Sequence, residues 1–454
     1  MKEEVRKAGK TGRLRQDCDR IFRAGLAAVD PVRSVYRHCT REGDLFRIDD
    51  RTFDLSRFRE VVILGAGKAG APMAAALETL LADRITRGLV VVKYGHLQPL
   101  EKVELVEAGH PVPDENGLDG AGRILSLAEA ADRDTLVIGL LSGGGSALLP
   151  LPADGIRLED KQETTRVMFA SGATTNEINT VRKHMSAIKG GQLAAAAYPA
   201  NLACLVLSDV VGDDLDIIAS GPMVPDRSTF ARCMEIVQRY GIEDRIPESV
   251  MTRLENGAAK KIQETPKPAD RLFDRVFHSI IACGRDALDA AAKEAETLGY
   301  RPYLLSEAVQ GETVKAAANH IEAARQIQQG NHSMSPPACI LSGGETTVTM
   351  EIGGKGGRNQ EFALKSALEI RGMDRIAVLS GGTDGTDGPT DAAGGLVDPF
   401  TVQRAKACGL DANYHLEAHD AYPLLEAVGD LYKTGPTLTN VMDLRIILVD
   451  KTES

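Results

Sequence analysis

The sequence predicts an α/β protein with a largely parallel sheet. Three observations lead there. Short apolar runs alternate with helical patterns along almost the whole chain. Four glycine-rich turns each follow such an apolar run: Gly65–Gly70, Ser142–Ser146, Ser342–Thr346 and Ser380–Gly385. The length, 454 residues, is that of two or three domains, each able to bury a core.

The elements follow in order. Val61–Leu64 reads as a strand and Lys68–Leu81 as an alanine-rich helix. Leu89–Lys93 and Val103–Glu107 are strands, followed by a helix near Leu118–Ala131. Thr135–Leu141 is a strand that enters the second glycine turn, and Glu177–Lys189 is helical. Leu202–Leu207 is a strand. Residues 251–275 are polar and proline-rich and predict a linker or surface excursion. Strands at Phe277–Cys283, Pro302–Leu305, Ala338–Leu341, Ile376–Leu379 and Leu444–Val449 follow, with helices at Asp286–Leu298, Thr313–Gln329 and Asn359–Ile370. The expected domains are 1–250, then the 251–275 connection, then 276–454.

Composition removes several function classes. Hydrophobic residues are 43% and charged residues 26%, as in ordinary globular proteins. Net charge is −11, which speaks against nucleic acid or an anionic membrane as partner. Aromatics are only 4%, too few for a base-stacking surface. No apolar run is long enough to span a membrane, and the basic N-terminal stretch lacks the apolar core of a signal peptide. The scattered cysteines, none spaced C-x-x-C, are expected to be reduced thiols of a cytoplasmic protein.

Glycine lets backbone N–H groups converge on an anion without a Cβ in the way. Gly65-x-Gly67-x-x-Gly70 matches the dinucleotide fingerprint formally, but the second strand ends in Lys93 where an acid would hold the ribose. Lys68 within it places a cation at a helix start, where an anion is already favoured. No P-loop motif occurs. Ser142, Gly143, Gly144, Gly145 and Ser146 form a nest suited to carboxylate or phosphate; the flanking pattern of a serine nucleophile elbow is missing. Asn179, Arg182 and Lys183 lie on one helical stretch, with a solvated face as the bland alternative. Asp209 stands just after the strand Leu202–Leu207, where open α/β sheets bind ligands. It is a candidate base or Mg²⁺ ligand. Gly344 and Glu345 belong to the third turn, and Asp384 to the fourth. Arg358, at a predicted helix start beside Asn359, is placed to clamp a phosphoryl group bidentately. Neither zinc-binding histidine spacing nor an EF-hand loop is found.

Taken in order, these stretches resemble the type II glycerate 2-kinases, the MOFRL family. The matching segments include GAGKAG at Gly65–Gly70, GHPVPD at Gly109–Asp114, LSGGGSA at Leu141–Ala147 and INTVRKHMSAIKGG at Ile178–Gly191. They continue with SDVVGDDLDIIASGP at Ser208–Pro222, SGGET at Ser342–Thr346, GGRNQE at Gly356–Glu361, SGGTDGTDGPTDAAGGLVD at Ser380–Asp398 and TGPTLTNVMDL at Thr434–Leu444. Leu438 stands where the family pattern has glycine. The resemblance implies a larger Rossmann-like N-terminal domain and a smaller C-terminal α/β domain, with the active site in the interdomain cleft. It also implies ATP- and Mg²⁺-dependent phosphorylation of D-glycerate at its 2-hydroxyl, giving 2-phosphoglycerate and ADP. The family's catalytic residues fall on Lys68, Asp209, Arg358 and Asp384, with Asp209 and Asp384 as candidate metal ligands. Substrate and phosphate contacts are expected from Gly67, Ser142–Ser146, Asn179, Arg182, Lys183, Gly344, Glu345 and Asn359. Members also carry the label hydroxypyruvate reductase, an NAD(P)H enzyme. A non-catalytic nucleotide- or acid-binding protein is the third reading.

Overall fold

The computed structural model describes residues 2–349 and 353–451. The chain divides into two units. The N-terminal unit comprises residues 31–208 and 213–281, and the C-terminal unit comprises 1–30, 209–212 and 282–454.

The N-terminal unit begins with a small antiparallel sheet of β1 (Cys39–Glu42), β2 (Leu45–Ile48) and β3 (Arg51–Asp54). Its main sheet holds β4 (Glu60–Ala66), β5 (Ile85–Lys93), β6 (Val103–Ala108), β7 (Thr135–Leu141), β8 (Asn201–Leu207) and β9 (Val276–Ala282). The strand order is β6-β5-β4-β7-β8-β9. β4 pairs in parallel with both β5 and β7, so the order reverses there. The crevice beyond the C-terminal ends of β4 and β7 is therefore the topological switch point of a doubly wound sheet. The first two glycine turns leave the sheet at that crevice. β7 is buried at all of its residues, as expected of a strand covered on both faces.

The C-terminal unit holds β10 (Arg301–Val309), β11 (Ala338–Gly344), β12 (Ile376–Gly382), β13 (Gly394–Val397), β14 (Leu431–Tyr432) and β15 (Asp443–Val449). Their order is β10-β11-β15-β12-β13-β14. Only β10 and β11 pair in parallel; β15 lies between β11 and β12 and is antiparallel to both. The expectation of a largely parallel sheet thus holds for the first unit and is corrected for the second. The helix Arg358–Glu369 covers one face through Phe362, Ala363 and Leu364. The helices Lys2–Ala28 and Gly284–Thr297 cover the other through Cys18, Ile21, Phe22 and Leu288.

Two expected boundaries move. The N-terminal helix belongs with the C-terminal unit, because its apolar stripe is spent on that sheet. Residues 251–275 are part of the N-terminal unit rather than a linker. The helix Glu248–Ala258 buries Val250 and Leu254 against Phe230 and Ile236. Gly257, which reads as a turn in sequence, lies inside that helix: a Cβ there would stand 2.1 Å from the Phe230 ring. The proline-rich stretch is pinned as well, Thr265 donating to Asp226 at 2.9 Å. No helix among the described residues is long and apolar enough to cross a membrane.

Candidate functional site

In the N-terminal unit the first two glycine turns interlock. Gly67 N–H donates to the Val91 carbonyl at 3.1 Å, and Lys68 N–H to Gly143 at 2.9 Å. Ala69 N–H donates to Ser142 Oγ at 3.0 Å, and Gly70 N–H to Gly67 at 3.1 Å. A Cβ on Gly67 would stand 2.0 Å from Ser142 Oγ, and Gly67 has φ +139. These glycines serve close packing. The backbone donors expected to cradle an anion at Gly65–Gly70 are consumed by the fold. Ser142 is likewise a packing residue. Lys68 is buried, and its chain lies over Gly144 beside the His110 ring.

The second turn keeps its donors. Gly144, with φ +85, opens the short helix Gly145–Leu148. The N–H groups of Gly143, Gly144 and Ser146 have no backbone acceptor among the described residues. That is the nest anticipated for a carboxylate or phosphate. Gly145 is tight against Ala219, whose Cβ a Gly145 Cβ would meet at 2.8 Å. Ala219 and Ser220 sit at φ +51 and +59, a conformation that costs on the order of 1 kcal/mol or more per non-glycine residue. The bend carries Ser220 Oγ to Asn179 Oδ1, to which it donates at 3.3 Å, and to Ser146 Oγ at 2.9 Å. Asn179 is thereby linked to the turn through a serine that sequence reasoning missed.

The neighbouring cations divide into two groups. Lys183 is ion-paired with Asp216 and, at 3.4 Å, with the fully buried Asp226. Burial alone would raise the Asp226 carboxyl, but Lys183 and the Ser228 donors hold it below its ordinary value. The substrate contact expected of Lys183 is corrected to an internal ion pair. Arg182 is half-buried over the Phe169 ring, 5.8 Å from its centroid. Lys189 donates to the Ser146 carbonyl at 2.7 Å, and Lys161 to the Pro150 carbonyl at 2.6 Å.

The C-terminal unit holds Arg358, Asn359, Glu345, Asp384 and Asp209. Arg358 is the first residue of its helix. Its Nε and Nη2 donate to Asp443 at 2.8 and 2.9 Å, and Nη1 pairs with Glu345 at 2.7 Å. Burial works against the guanidinium charge, but Asp443 and Glu345 raise its pKa above the ordinary value. The bidentate fork is therefore spent on Asp443, not held open for a phosphoryl group, and the remaining edge faces Glu345. Asn359 donates to Asp443 at 2.8 Å and receives Ser380 Oγ at 2.6 Å. Asp387 caps the same helix, accepting Asn359 N–H at 3.1 Å and Gln360 N–H at 2.9 Å. Its full burial pushes it up to about 6, against those donors.

Gly344, at φ +98, lies against β10, where a Cβ would meet Val309 N at 2.3 Å, so the close approach of the two strands requires glycine there. Asp384 Oδ1 accepts Thr386 N–H at 3.0 Å in its own turn. Asp209 accepts Asn440 Nδ2 at 3.0 Å. Asn440 belongs to the loop before β15, which also ties to Thr383: Thr437 Oγ1 donates to the Thr383 carbonyl at 2.5 Å. That loop thus reaches toward both aspartate segments. Among the described residues no group of three or more His, Cys, Asp or Glu side chains could hold a metal ion. Sequence reasoning missed Asp443, Arg445, Asp387, Asn440 and Ser220. Asp443 was visible in the NVMDL stretch, but nothing in its spacing marks Arg358 as partner.

A family model described as Domain of unknown function (DUF4147) matches residues 17–255, and one described as MOFRL family matches 338–443. The chain is 39% identical over 431 residues to a glycerate 2-kinase of Pyrococcus horikoshii, covering 95% of this chain and 96% of that one. It is 43% identical over 437 residues to an Agrobacterium vitis protein provisionally named hydroxypyruvate reductase, covering 96% and 94%. The crystal structure of a glycerate kinase from Thermotoga maritima superposes with a TM-score of 0.82 at 38% identity, covering 96% of this chain and 100% of that one. On both its sequence and its fold, the chain belongs to the MOFRL-containing family of glycerate 2-kinases.

Proposed function

We propose that the protein phosphorylates D-glycerate at the 2-hydroxyl with ATP, giving 2-phosphoglycerate and ADP, in the cytoplasm. One observation carries this reading: a buried lysine, Lys68, lies over the Ser142–Ser146 turn, whose N–H groups at Gly143, Gly144 and Ser146 are unspent. The full-length likeness to named glycerate 2-kinases supplies the substrate.

Phosphoryl transfer requires positioning and charge neutralisation more than covalent help. The turn takes the carboxylate of the acid. Lys68 neutralises charge on the transferred phosphoryl group, and in the C-terminal unit the Glu345-facing edge of Arg358 is a further cation suited to phosphate. Asp209 accepts the proton of the 2-hydroxyl, or shares a cation with Asp384. Mg²⁺ suits these residues: it is content with one or two carboxylates plus substrate phosphates, and no protein cage of three ligands is present among the described residues. Asp209 and Asp384 would hold it, and it would neutralise charge on the ATP phosphates.

The reductase reading is favoured by the A. vitis name and by the glycine fingerprint. Against it, the fingerprint's N–H groups are internally bonded and cannot cradle a pyrophosphate. β5 also ends in Lys93 rather than an acid.

An assay that separates 2- from 3-phosphoglycerate tests the proposal. ADP and 2-phosphoglycerate should form from ATP and D-glycerate. Exclusive 3-phosphoglycerate, or NADPH oxidation by hydroxypyruvate without ADP formation, would overturn it. Lys68→Ala should lower kcat by roughly 10²–10³-fold, the effect of one lost preorganised charge contact.

A further inference from the structure

Behind the Ser142–Ser146 turn lie three cations, Lys161, Arg182 and Lys189, that no carboxylate among the described residues pairs with. Lys189 is 1% exposed and Lys161 is 6% exposed. Lys189 donates to the carbonyl of Ser146 at 2.7 Å. Lys161 donates to Pro150 at 2.6 Å and Leu151 at 3.3 Å, just beyond the helix that the turn opens. Arg182 approaches from the helix Thr175–His184, its Nε 3.5 Å from Thr165 Oγ1. The charged neighbours these groups feel are each other: Arg182 acts on Lys161, and both act on Lys189.

The nearby carboxylates are engaged elsewhere. Asp160, next to Lys161, accepts the Arg157 N–H at 3.0 Å and Ser249 Oγ at 2.9 Å. Asp216 and Asp226 are taken by Lys183. From the helix Glu248–Ala258, Arg253 donates to the His184 carbonyl at 2.7 Å. Buried lysines are rare without a counter-charge, since the desolvation of an ammonium is otherwise uncompensated.

We propose that this charge is balanced by the substrate: Lys161 and Lys189 are positioning residues that back the Ser142–Ser146 turn with positive potential, and so give it selectivity for the carboxylate of a small hydroxy acid. The inference rests on the kinase reading and adds to it the residues that choose an acid over a neutral polyol. Lys189 acts through Ser146, whose carbonyl it holds and whose N–H has no backbone acceptor among the described residues. Lys161 fixes the two carbonyls that follow. Burial and then Arg182 push Lys161 down to about 7, and burial pushes Lys189 well below its ordinary value. An anion in the turn favours the protonated form of both. Binding should therefore draw protons from solvent near pH 7.

Two measurements test this. The first is calorimetric titration of the wild-type enzyme with D-glycerate in two buffers of different ionisation enthalpy at pH 7. A buffer-dependent heat showing proton uptake is expected; binding without uptake overturns the proposal while leaving the kinase reading intact. The second is steady-state kinetics of Lys161→Met. The KM for D-glycerate should rise about 10- to 100-fold, as for one lost contact to a charged group. The KM for ATP should not change, and the preference for D-glycerate over glycerol should fall by a similar factor. A rise in the ATP KM alone, or an unchanged preference for glycerate over glycerol, overturns the assignment. If the variant does not fold, the wild-type titration still decides. Failure of the wild-type enzyme to form ADP from D-glycerate would instead sink the kinase reading.

Discussion

Arg358 and Asp443 stand 85 residues apart in sequence and meet in a two-pronged ion pair, Nε to Oδ2 at 2.8 Å and Nη2 to Oδ1 at 2.9 Å. Asp443 also accepts Arg445 Nη2 at 2.8 Å. Arg445 is fully buried against the Phe362 ring, so one carboxylate organises two arginines and Asn359. Asp443→Ala would leave Arg445 without its acid and Arg358 with Glu345 alone. Removing one partner of a buried pair costs about 3–5 kcal/mol. The variant is expected to lose that much in denaturant titration, and to lose activity even where it remains folded. Asp443→Asn should retain more stability than Asp443→Ala, because it keeps the shape and one acceptor. Equal stability of wild type and Asp443→Ala would show that the network is not structural.

Lys183 gives the opposite split between stability and kinetics. Its ammonium is held by Asp216 and Asp226, and Asp226 is fully buried with further donors from Ser228 and Thr265. Lys183→Met should destabilise by about 3–5 kcal/mol through the stranded Asp226. The KM for D-glycerate in the folded fraction should stay within a few-fold of wild type. A selective rise of that KM with unchanged melting temperature would return Lys183 to the substrate site.

His320 predicts how stability depends on pH. It is 3% exposed, its Nε2 lies 2.7 Å from Ser342 Oγ, and its Nδ1 lies 2.6 Å from the Ala316 carbonyl. Burial lowers it from 6.5 to about 4, opposed by the Ala316 carbonyl and aided by Arg445. The folded state therefore binds fewer protons than the unfolded chain between these values. Its contribution to stability is whole above pH 6.5 and is lost as pH falls toward 4, on the order of 3 kcal/mol. Melting curves from pH 7 to pH 4 should fall more steeply for wild type than for His320→Gln. Parallel curves would remove His320 as a source of acid sensitivity.

Leu438 occupies a left-handed conformation at φ +58 in the loop before β15. A non-glycine residue there costs about 1–2 kcal/mol, while glycine costs about 0.5–1 kcal/mol of extra chain entropy. Leu438→Gly should therefore raise stability by up to about 1 kcal/mol, seen as a higher melting temperature with kcat unchanged. A loss greater than 1 kcal/mol would mean that the leucine side chain contributes packing that outweighs the strain.

The sequence by itself determined the alternation of strands and helices, the four glycine turns at strand ends, and the family. These are local signals, carried by apolar periodicity and by residues adjacent along the chain. The placement of Lys68 beside the Ser142–Ser146 turn did not follow from them: it depends on β4 and β7 being neighbouring strands at one switch point. Tertiary structure decided the rest. It showed that the Gly65–Gly70 donors are spent on β5 and on the second turn, that Lys183 is neutralised while Lys161 and Lys189 are not, and that Asp443 holds Arg358. It also placed β15 antiparallel between β11 and β12 and the N-terminal helix on the C-terminal sheet. Each of these depends on which distant groups share one low-dielectric interior. A charge or an N–H looks the same in sequence whether its partner is another side chain, a backbone carbonyl or a ligand, and only the folded chain distinguishes them.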